Sequence, residues 1–206
     1  QLLFAIVQQI PHERRLGVGE RLLIHAVGSG VGTAALQLAV AAGATVYGTA
    51  RTAWKLERAA SLGLDLAIDA SREDFAEVVL RHTGGEGVHA ILDLAGGAYL
   101  AGNLRALAPL GRSVVVGTVA GSTAELNLGL LLTKRLTLVG TALRSRPLEE
   151  KIAATRAFQH HALPLLSSGR VRPVIDRVYP LREVREAHLR MEANQNFGKI
   201  VLTLEE

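Results

Sequence analysis

The sequence contains no cysteine, and this absence limits the chemistry open to its 206 residues. Without thiols, these residues can form neither a disulfide nor a metal site with thiolate ligands. The histidines are scattered without the spacing typical of metal ligands, so we predict no metal site. Cysteine usage does not fix the redox compartment, and we take the cytoplasm as the default location.

Long hydrophobic runs and a strong charge imbalance are also absent. Hydrophobic residues make up 49% of the chain, but Gly, Arg or Glu interrupts each apolar run well before the roughly 20 residues that span a bilayer. The net charge of +4 comes from 23 basic and 19 acidic residues, which are spread along the chain. We therefore expect no membrane-spanning segment, and the charge gives no support for nucleic-acid binding.

A third absence is local, because residues 21–56 contain no Asp or Glu. This segment holds an apolar run, "RLLIHAV", a glycine turn, "GSGVG", and a helical pattern, "TAALQLAVAAG". A strand, a glycine turn and a helix in this order are typical of a dinucleotide site, although the third glycine comes one residue early for the usual fingerprint. The backbone at the start of such a helix binds a pyrophosphate. We predict pyrophosphate contacts at Ser29, Gly30, Val31 and Gly32.

The end of the next predicted strand, "TVYGTA", lacks the acid that normally binds the adenosine ribose about 20 residues beyond the glycine turn. Arg51, Thr52 and Lys55 follow this strand instead. A carboxylate would repel a 2′-phosphate, whereas a guanidinium, a hydroxyl and an ammonium can bind it through charge-assisted hydrogen bonds. The pattern favours NADP(H) as cofactor. The alternative is that Arg51 and Lys55 are solvated charges at the start of a helix.

Six apolar segments alternate with helical patterns through the first three quarters of the chain. Nearly continuous apolar strands separated by helices indicate a parallel sheet covered on both faces. We therefore predict an α/β fold with a doubly wound (Rossmann) six-stranded parallel sheet. The predicted strands cover residues 21–27, 45–50, 66–70, 88–95, 112–119 and 135–143.

The strand and helix alternation ends near residue 148. A long helix is predicted for 148–168, followed by a helix at 182–194 and a strand at 198–205. We interpret 1–147 as a dinucleotide-binding domain, and 148–206 as a connecting helix and the C-terminal part of a second domain. The segment "QLLFAIVQQ" at the start is amphipathic but has no capping residue before it, so we expect the chain to begin partway through a helix.

Several segments together carry a resemblance to a known family: "GERLLIHAVGSGVGTAALQLA", "KLERAASLG", "GGEGVHAILDLAGG", "LRSR" and "MEANQNFGKIVL". They resemble the zinc-independent quinone oxidoreductases of the medium-chain dehydrogenase/reductase superfamily. The resemblance implies NADPH-dependent reduction of quinones or related enones. It also implies an N-terminal catalytic domain that has no counterpart here, so we expect this chain alone to bind cofactor and to be a poor catalyst. The resemblance assigns no catalytic residue to this chain.

The resemblance implies roles for residues beyond the glycine turn. Loops at Gly96, Gly117 and Leu143–Arg144 are implied to line the ribose and nicotinamide, and Asn196 is implied to reach back to the cofactor. These loops follow strands, and ligands of doubly wound sheets bind at the carboxyl ends of the strands. For Gly96 and Gly117, an ordinary turn at a strand end is an equally good account.

Two other functions and one assembly are compatible with the same residues. The chain could belong to an alkene or enoyl-thioester reductase, or it could be a non-catalytic module that senses NADPH or associates with RNA. The predicted strand 135–143 is apolar, contains no proline and is charged only at Arg135. An edge strand of this kind can pair with a second copy. We therefore predict a homodimer joined through this edge, acting on a small-molecule quinone or enone.

Overall fold

The computed structural model describes residues 18–204, and its main body is one six-stranded parallel sheet with the strand order β3-β2-β1-β4-β5-β6. The predicted doubly wound fold is confirmed, and the helix expected at residues 1–9 lies outside the described residues. The strand order changes direction between β1 and β4, and ligands of doubly wound sheets bind at such a point. The strands of this sheet are β1 (Arg21–Ile24), β2 (Thr45–Ala50), β3 (Leu66–Asp69), β4 (Val88–Asp93), β5 (Leu107–Val115) and β6 (Thr137–Gly140).

Helices follow the strands and cover both faces of the sheet. The first two helices follow β1 and β2 along the chain, and the predicted phosphate-binding residues lie at the amino ends of these helices. Short 3-10 turns at Gly97–Tyr99 and Leu181–Glu183 precede two of the helices. The helices are α1 (Gly30–Ala41), α2 (Ala53–Ala60), α3 (Phe75–His82), α4 (Leu100–Ala106), α5 (Leu128–Thr133), α6 (Leu148–His161), α7 (Leu163–Ser167) and α8 (Val184–Glu192).

Several boundaries differ from the sequence-based expectation, among them the ends of β1 at Ile24 and of β4 at Asp93, which were predicted at 27 and 95. Strand β5 begins at Leu107 and ends at Val115, earlier than the predicted 112–119. Strand β6 is shorter than the predicted 135–143, because Arg135 has a left-handed φ of 54° that an extended strand does not accommodate. The predicted helix 148–168 is two helices, since Pro164 begins a new first turn and lacks the N–H needed to continue the old one.

The core has two layers, one on each face of the sheet. Alternate residues of β1 point to opposite faces, so Leu22 and Ile24 join one cluster and Leu23 joins the other. The first cluster contains α1 and the second contains α3. Phe197, which is only 2% exposed, belongs to the first cluster although it lies in the C-terminal segment.

The C-terminal segment is attached to the glycine turn by backbone hydrogen bonds. It contains a separate two-stranded parallel sheet of β7 (Ile175–Pro180) and β8 (Lys199–Thr203). Gly198 N donates to Gly28 O at 2.9 Å, and Gly198 forms an isolated bridge with Ser29. This attachment places β8 beside the first turn of α1. Over residues 18–204, no helix combines the length and apolar character needed to cross a membrane.

Candidate cofactor site

The first element of the site is the amino end of α1. Ser29 is the N-cap, and its Oγ accepts a hydrogen bond from Gly32 N at 2.9 Å. Within residues 18–204, the N–H of Val31 has no acceptor, and the bridge between Ser29 and Gly198 directs the N–H of Gly30 at Gly198 O. The first turn of this helix carries no acidic residue. The free N–H of Val31 and the positive end of the helix dipole together favour an anion at this position.

Two glycines of the turn have different structural roles. A Cβ atom on Gly32 would lie 2.5 Å from Ala26 O and 2.6 Å from Val27 O, so only glycine allows α1 to pack this closely on the preceding loop. The N–H of Gly32 is already used by Ser29. A Cβ on Gly30 would meet only the flexible side chain of Lys199. Gly32 therefore allows α1 to pack on the preceding loop, whereas Gly30 leaves room for the side chain of Lys199 beside the helix end.

Lys199 is a residue of this site that the sequence analysis missed. Strand β8 places its exposed side chain directly beside Gly30, where its Cγ would lie 3.0 Å from an added Cβ. The cation thus lies near the amino end of α1, where it can add to the attraction of this end for an anion. The only signal in the sequence was a lysine in "FGKIVL", far along the chain from the glycine turn.

The second element is the amino end of α2, where three donors have no acceptor among the described residues. Thr52 is the N-cap, but its side chain makes no capping hydrogen bond. Its Oγ1 is buried without a hydrogen-bond partner among the described residues. The N–H groups of Ala53 and Trp54 also have no acceptor in the part of the chain that the structure describes. One hydroxyl and two N–H groups are thus unpartnered in this turn, and the first turn carries no acidic residue.

Lys55 lies in the same turn and is buried, with 6% of the residue exposed. Its Nζ donates to Asn194 Oδ1 at 2.6 Å and lies 5.4 Å from the centre of the Trp54 ring. No carboxylate pairs with it within residues 18–204. Burial lowers the pKa of Lys55, the positive charge of Arg51 lowers it further, and Asp176 opposes both effects. Arg51 itself is exposed.

Asp176 is the acid whose charge acts on Lys55, and it is already occupied by other partners. Its side chain is 2% exposed and accepts from Arg190 Nε at 2.7 Å and from Phe197 N at 3.1 Å, with Arg58 at 3.9 Å. Burial acts to raise the pKa of Asp176, but the hydrogen bonds from Arg190 and Phe197 and the nearby guanidinium charges outweigh it and hold the pKa low. Asp176 therefore leaves the charge of Lys55 available for another anion.

The third element consists of the loops after β4 and β5, which lie against each other. Gly96 has a φ of 68°, and an added Cβ would lie 3.1 Å from Gly117 O. A Cβ on Gly117 would lie 2.8 Å from Leu94 O. Both glycines are therefore required by close backbone packing, and the structure brings these two predicted site residues together at the carboxyl edge of the sheet.

A buried polar network supports the loop that contains Gly96. Asp93 accepts from the N–H of Gly96 at 2.8 Å and from Asn103 Nδ2 at 2.9 Å. His25 Nε2 lies 2.7 Å from Asn103 Oδ1, and His25 Nδ1 lies 2.9 Å from Thr49 Oγ1. Because the amide nitrogen of Asn103 donates to Asp93, the amide oxygen of Asn103 accepts from Nε2–H of His25. The other ring nitrogen of the neutral histidine, Nδ1, then accepts from the Thr49 hydroxyl. Burial lowers the pKa of His25, against the opposing effects of Asn103 and Asp93.

The remaining predicted site residues occupy positions around this edge. Leu143 and Arg144 lie in the loop after β6, where Arg144 O accepts from Lys151 Nζ at 3.0 Å. Asn196 Nδ2 donates to Gly198 O at 3.2 Å, which holds the amide next to the strand that contacts the glycine turn. The carboxyl ends of parallel strands share one edge, so the loop after β6 opens on the same side as the other loops.

Metal-binding side chains do not gather at this edge or elsewhere in the described part of the chain. No cluster of three or more His, Asp or Glu side chains that could hold a metal ion occurs in residues 18–204. His25, the histidine nearest to the site, is engaged by Thr49 and Asn103.

The comparisons with known proteins agree with this architecture. The zinc-binding dehydrogenase family matches residues 30–159. A phenolphthiocerol/phthiocerol polyketide synthase of Mycobacterium tuberculosis is 30% identical over 190 residues, which cover 92% of this chain and 9% of that protein. A 2-haloacrylate reductase of Burkholderia sp is 32% identical over 188 residues, covering 89% of this chain and 55% of the reductase.

A solved structure shares the fold over nearly the whole chain. Escherichia coli quinone oxidoreductase, in complex with NADPH, has a TM-score of 0.83 and 28% identity, covering 98% of this chain and 62% of that one. The chain thus spans less than two thirds of the length of each of these three proteins. Because the family match extends over more than half of its residues, the chain belongs to the zinc-binding dehydrogenase family of the medium-chain dehydrogenase/reductase superfamily.

Proposed function

We propose that this chain is the cofactor-binding half of an NADPH-dependent oxidoreductase that reduces quinones or related enones. The observation that carries the proposal is the amino end of α2, where a buried lysine without a carboxylate partner lies beside an unpartnered hydroxyl. Buried charges in proteins are normally paired. An ionic partner supplied by a ligand would complete this site.

The 2′-phosphate of NADPH fits the groups that converge at α2. Its oxygens can accept from Thr52 Oγ1, from the free N–H groups of the first turn, and from the cations of Arg51 and Lys55. The ribose of NADH offers none of this charge. The Escherichia coli quinone oxidoreductase that shares this fold was solved with NADPH, which supports the assignment.

The pyrophosphate is proposed to bind at the amino end of α1. The N–H of Val31 is free to donate, and Lys199 adds a positive charge beside Gly30. Ser29 caps the helix and keeps the N–H of Val31 directed at the ligand. Gly32 permits the close packing on which this geometry depends.

A bound reduced nicotinamide would supply the hydride for the reaction. The residues proposed to surround the ribose and nicotinamide are those of the strand-end loops. Asp93 holds the N–H of Gly96 and so fixes the loop that packs against Gly117. Leu143, Arg144 and Asn196 are proposed to complete this lining. These residues position and shield the cofactor, whereas the acceptor would be held partly by regions of the whole protein beyond this chain.

The family name implies zinc, and the residues of this chain do not fit a zinc site. The chain has no cysteine, and its described part brings no three metal-binding side chains together. We therefore derive no step through a metal from these residues.

A second candidate is an alkene or enoyl-thioester reductase. The similarity to the 2-haloacrylate reductase and to the polyketide synthase favours it, since both are about as similar in sequence as the quinone oxidoreductase. The two candidates share the cofactor site and differ in the acceptor. Steady-state assays of the whole protein with a quinone and with a 2-enoyl thioester, at equal NADPH concentration, distinguish them by the ratio of kcat/KM values.

The C-terminal segment is proposed to belong to a second domain. Its two-stranded sheet exposes several apolar side chains, which a further part of a larger domain would cover. The exposed apolar residues in and around this sheet are Ile175, Val178, Leu181, Leu189, Met191, Leu202 and Leu204.

A homodimer joined through β6 is also proposed. Within the described chain, β6 is the last strand of the sheet, and β5 is the strand that pairs with it. Leu128 and Leu132 of the neighbouring helix α5 are largely exposed. Light scattering at micromolar concentration should give twice the monomer mass, and a monomeric mass would contradict the dimer.

The test of the cofactor assignment is a titration of the chain with NADPH and NADH side by side. Lys55→Met removes the charge and keeps most of the buried stem, and Arg51→Ala removes the exposed cation. Loss of a hydrogen bond between charged groups costs about 1.5–3 kcal/mol, or roughly 10- to 150-fold in Kd. We expect such a loss for NADPH with Lys55→Met, a smaller one with Arg51→Ala, and no change for NADH.

The matched control is Arg81→Ala, which removes an exposed arginine from α3. It should leave both affinities unchanged. Equal affinities of the wild type for the two nucleotides, with no effect of Lys55→Met, would refute the 2′-phosphate assignment.

A further inference from the structure

Asn194 connects the C-terminal segment to the proposed phosphate site. It follows α8 and has a left-handed φ of 55°, with its N–H donating to Met191 O at 3.0 Å. Its Oδ1 accepts from Lys55 Nζ at 2.6 Å. The backbone turn therefore aims an amide oxygen at the only buried lysine among the described residues.

Contacts with neighbouring residues confine both the aliphatic stem and the ammonium group of Lys55. An added Cβ on Gly28 would lie 3.1 Å from Lys55 Cδ and 3.1 Å from Phe197 Cδ2, so the lysine stem and the buried phenylalanine both lie against the glycine turn. The Trp54 ring lies on another side of the ammonium. With the stem confined in this way, Asn194 determines where the charge is held.

The chemistry of this partner matters because an amide is neutral. An ammonium has three donors, and Asn194 uses one of them, so two remain for the oxygens of a phosphate. A carboxylate at the same position would hold the lysine equally well but would neutralise its charge and repel an anion. The amide orients the cation and leaves its charge intact.

We propose that Asn194 is a positioning residue that sets the preference of this site for a 2′-phosphorylated dinucleotide by holding the Lys55 ammonium at the amino end of α2. This inference rests on the proposed function. It makes cofactor preference depend on the C-terminal segment as well as on the residues after β2. Removal of the amide should therefore affect NADPH and spare NADH.

Two variants of Asn194 separate its charge effect from its positioning effect. Asn194→Asp keeps the shape and adds a negative charge beside Lys55. Asn194→Gly removes the side chain and tolerates the left-handed φ without strain. The control is Gln195→Ala, which alters the adjacent exposed residue. Kd values for NADPH and NADH are measured for each variant, and thermal unfolding confirms that each is folded.

We expect Asn194→Asp to raise the Kd for NADPH by about tenfold or more, and Asn194→Gly to raise it by several-fold, since each disturbs a charge-assisted contact. The Kd for NADH should change by less than about twofold. In a Lys55→Met background, Asn194→Gly should have no further effect on NADPH, because the two residues act through one interaction.

The outcomes distinguish this inference from the proposed function. A wild type that binds both nucleotides equally overturns the proposed function and the inference with it. A wild type that prefers NADPH, with the preference retained in Asn194→Asp, overturns the inference alone. Equal weakening of both nucleotides in Asn194→Gly would show a merely structural role and would also overturn it.

Discussion

Replacement of Thr52 by valine should stabilise the free protein and weaken NADPH binding. The Thr52 hydroxyl is buried without a partner in the described structure and makes no capping hydrogen bond. A buried hydroxyl without a partner costs about 1–3 kcal/mol. Valine replaces the oxygen with a methyl group of similar size, so the cost is removed without opening a cavity.

The expected gain in the free energy of unfolding is about 1 kcal/mol, at the lower end of that range. For a chain of this length, such a gain raises Tm by about 2–4 °C. The same substitution removes a donor to the proposed 2′-phosphate, and loss of a hydrogen bond to a charged group costs about 1.5–3 kcal/mol. The Kd for NADPH should rise by roughly 10- to 150-fold, and the Kd for NADH should not change.

The assays are urea unfolding for stability and fluorescence titration for affinity. Thr49→Val is the matched control, because the Thr49 hydroxyl is buried and is 2.9 Å from His25 Nδ1. That variant leaves the ring nitrogen unpaired and should lose about 1–3 kcal/mol of stability. Thr52→Ser keeps the hydroxyl and should retain NADPH affinity.

The reasoning fails if Thr52→Val loses stability as Thr49→Val does. Such a result would mean that the Thr52 hydroxyl is already satisfied in the folded chain. A stabilised Thr52→Val that binds NADPH as well as the wild type would instead remove this hydroxyl from the binding site.

Four further outcomes are expected. Gly32→Ala should lower the free energy of unfolding by about 3 kcal/mol, because the new Cβ meets backbone oxygens that cannot move aside. Urea unfolding measures this loss, and a variant as stable as the wild type would contradict the packing role. In Gly30→Ala the new Cβ meets the flexible side chain of Lys199, so Tm should not change. The Kd for both nucleotides should rise by on the order of tenfold, which titration measures. Phe197→Ala should cost about 3–5 kcal/mol in urea unfolding and detach the C-terminal segment, seen as faster proteolysis there than in the wild type. Because the pKa of His25 is lowered in the folded chain, the unfolded chain binds a proton at a higher pH than the folded chain does. The free energy of unfolding should therefore fall as pH drops below about 6.5, by up to about 1.4 kcal/mol per pH unit. His25→Gln should flatten this slope, and an unchanged slope would contradict the assignment.

The local pattern of the sequence predicted the fold, which the structure confirms, and a candidate cofactor site, which stays a prediction. Strand and helix periods, the glycine turn and the missing acid between 21 and 56 are properties of short segments, and each acts through backbone geometry that neighbouring residues set. The resemblance implied that the loops of Gly96 and Gly117 line one cofactor, and loops at the carboxyl ends of parallel strands are expected at one edge of the sheet. The structure shows them in contact.

Element ends were predicted less well. The early end of β5 and the left-handed Arg135 before β6 depend on how the chain turns between neighbouring strands, which periodicity does not reveal. The break before α7 had a signal in Pro164, but the apolar pattern on both sides of it concealed the boundary.

The sequence by itself determined a doubly wound sheet, a glycine turn after its first strand, and cations where an acid is usual. Only the tertiary structure decided that Lys55 is buried against Asn194, that Lys199 lies beside Gly30, and that His25 supports the loop of Gly96 through Asn103. These contacts join residues far apart along the chain. Local periodicity records which face of an element is apolar, whereas the partner of a polar side chain is fixed only when distant elements pack together.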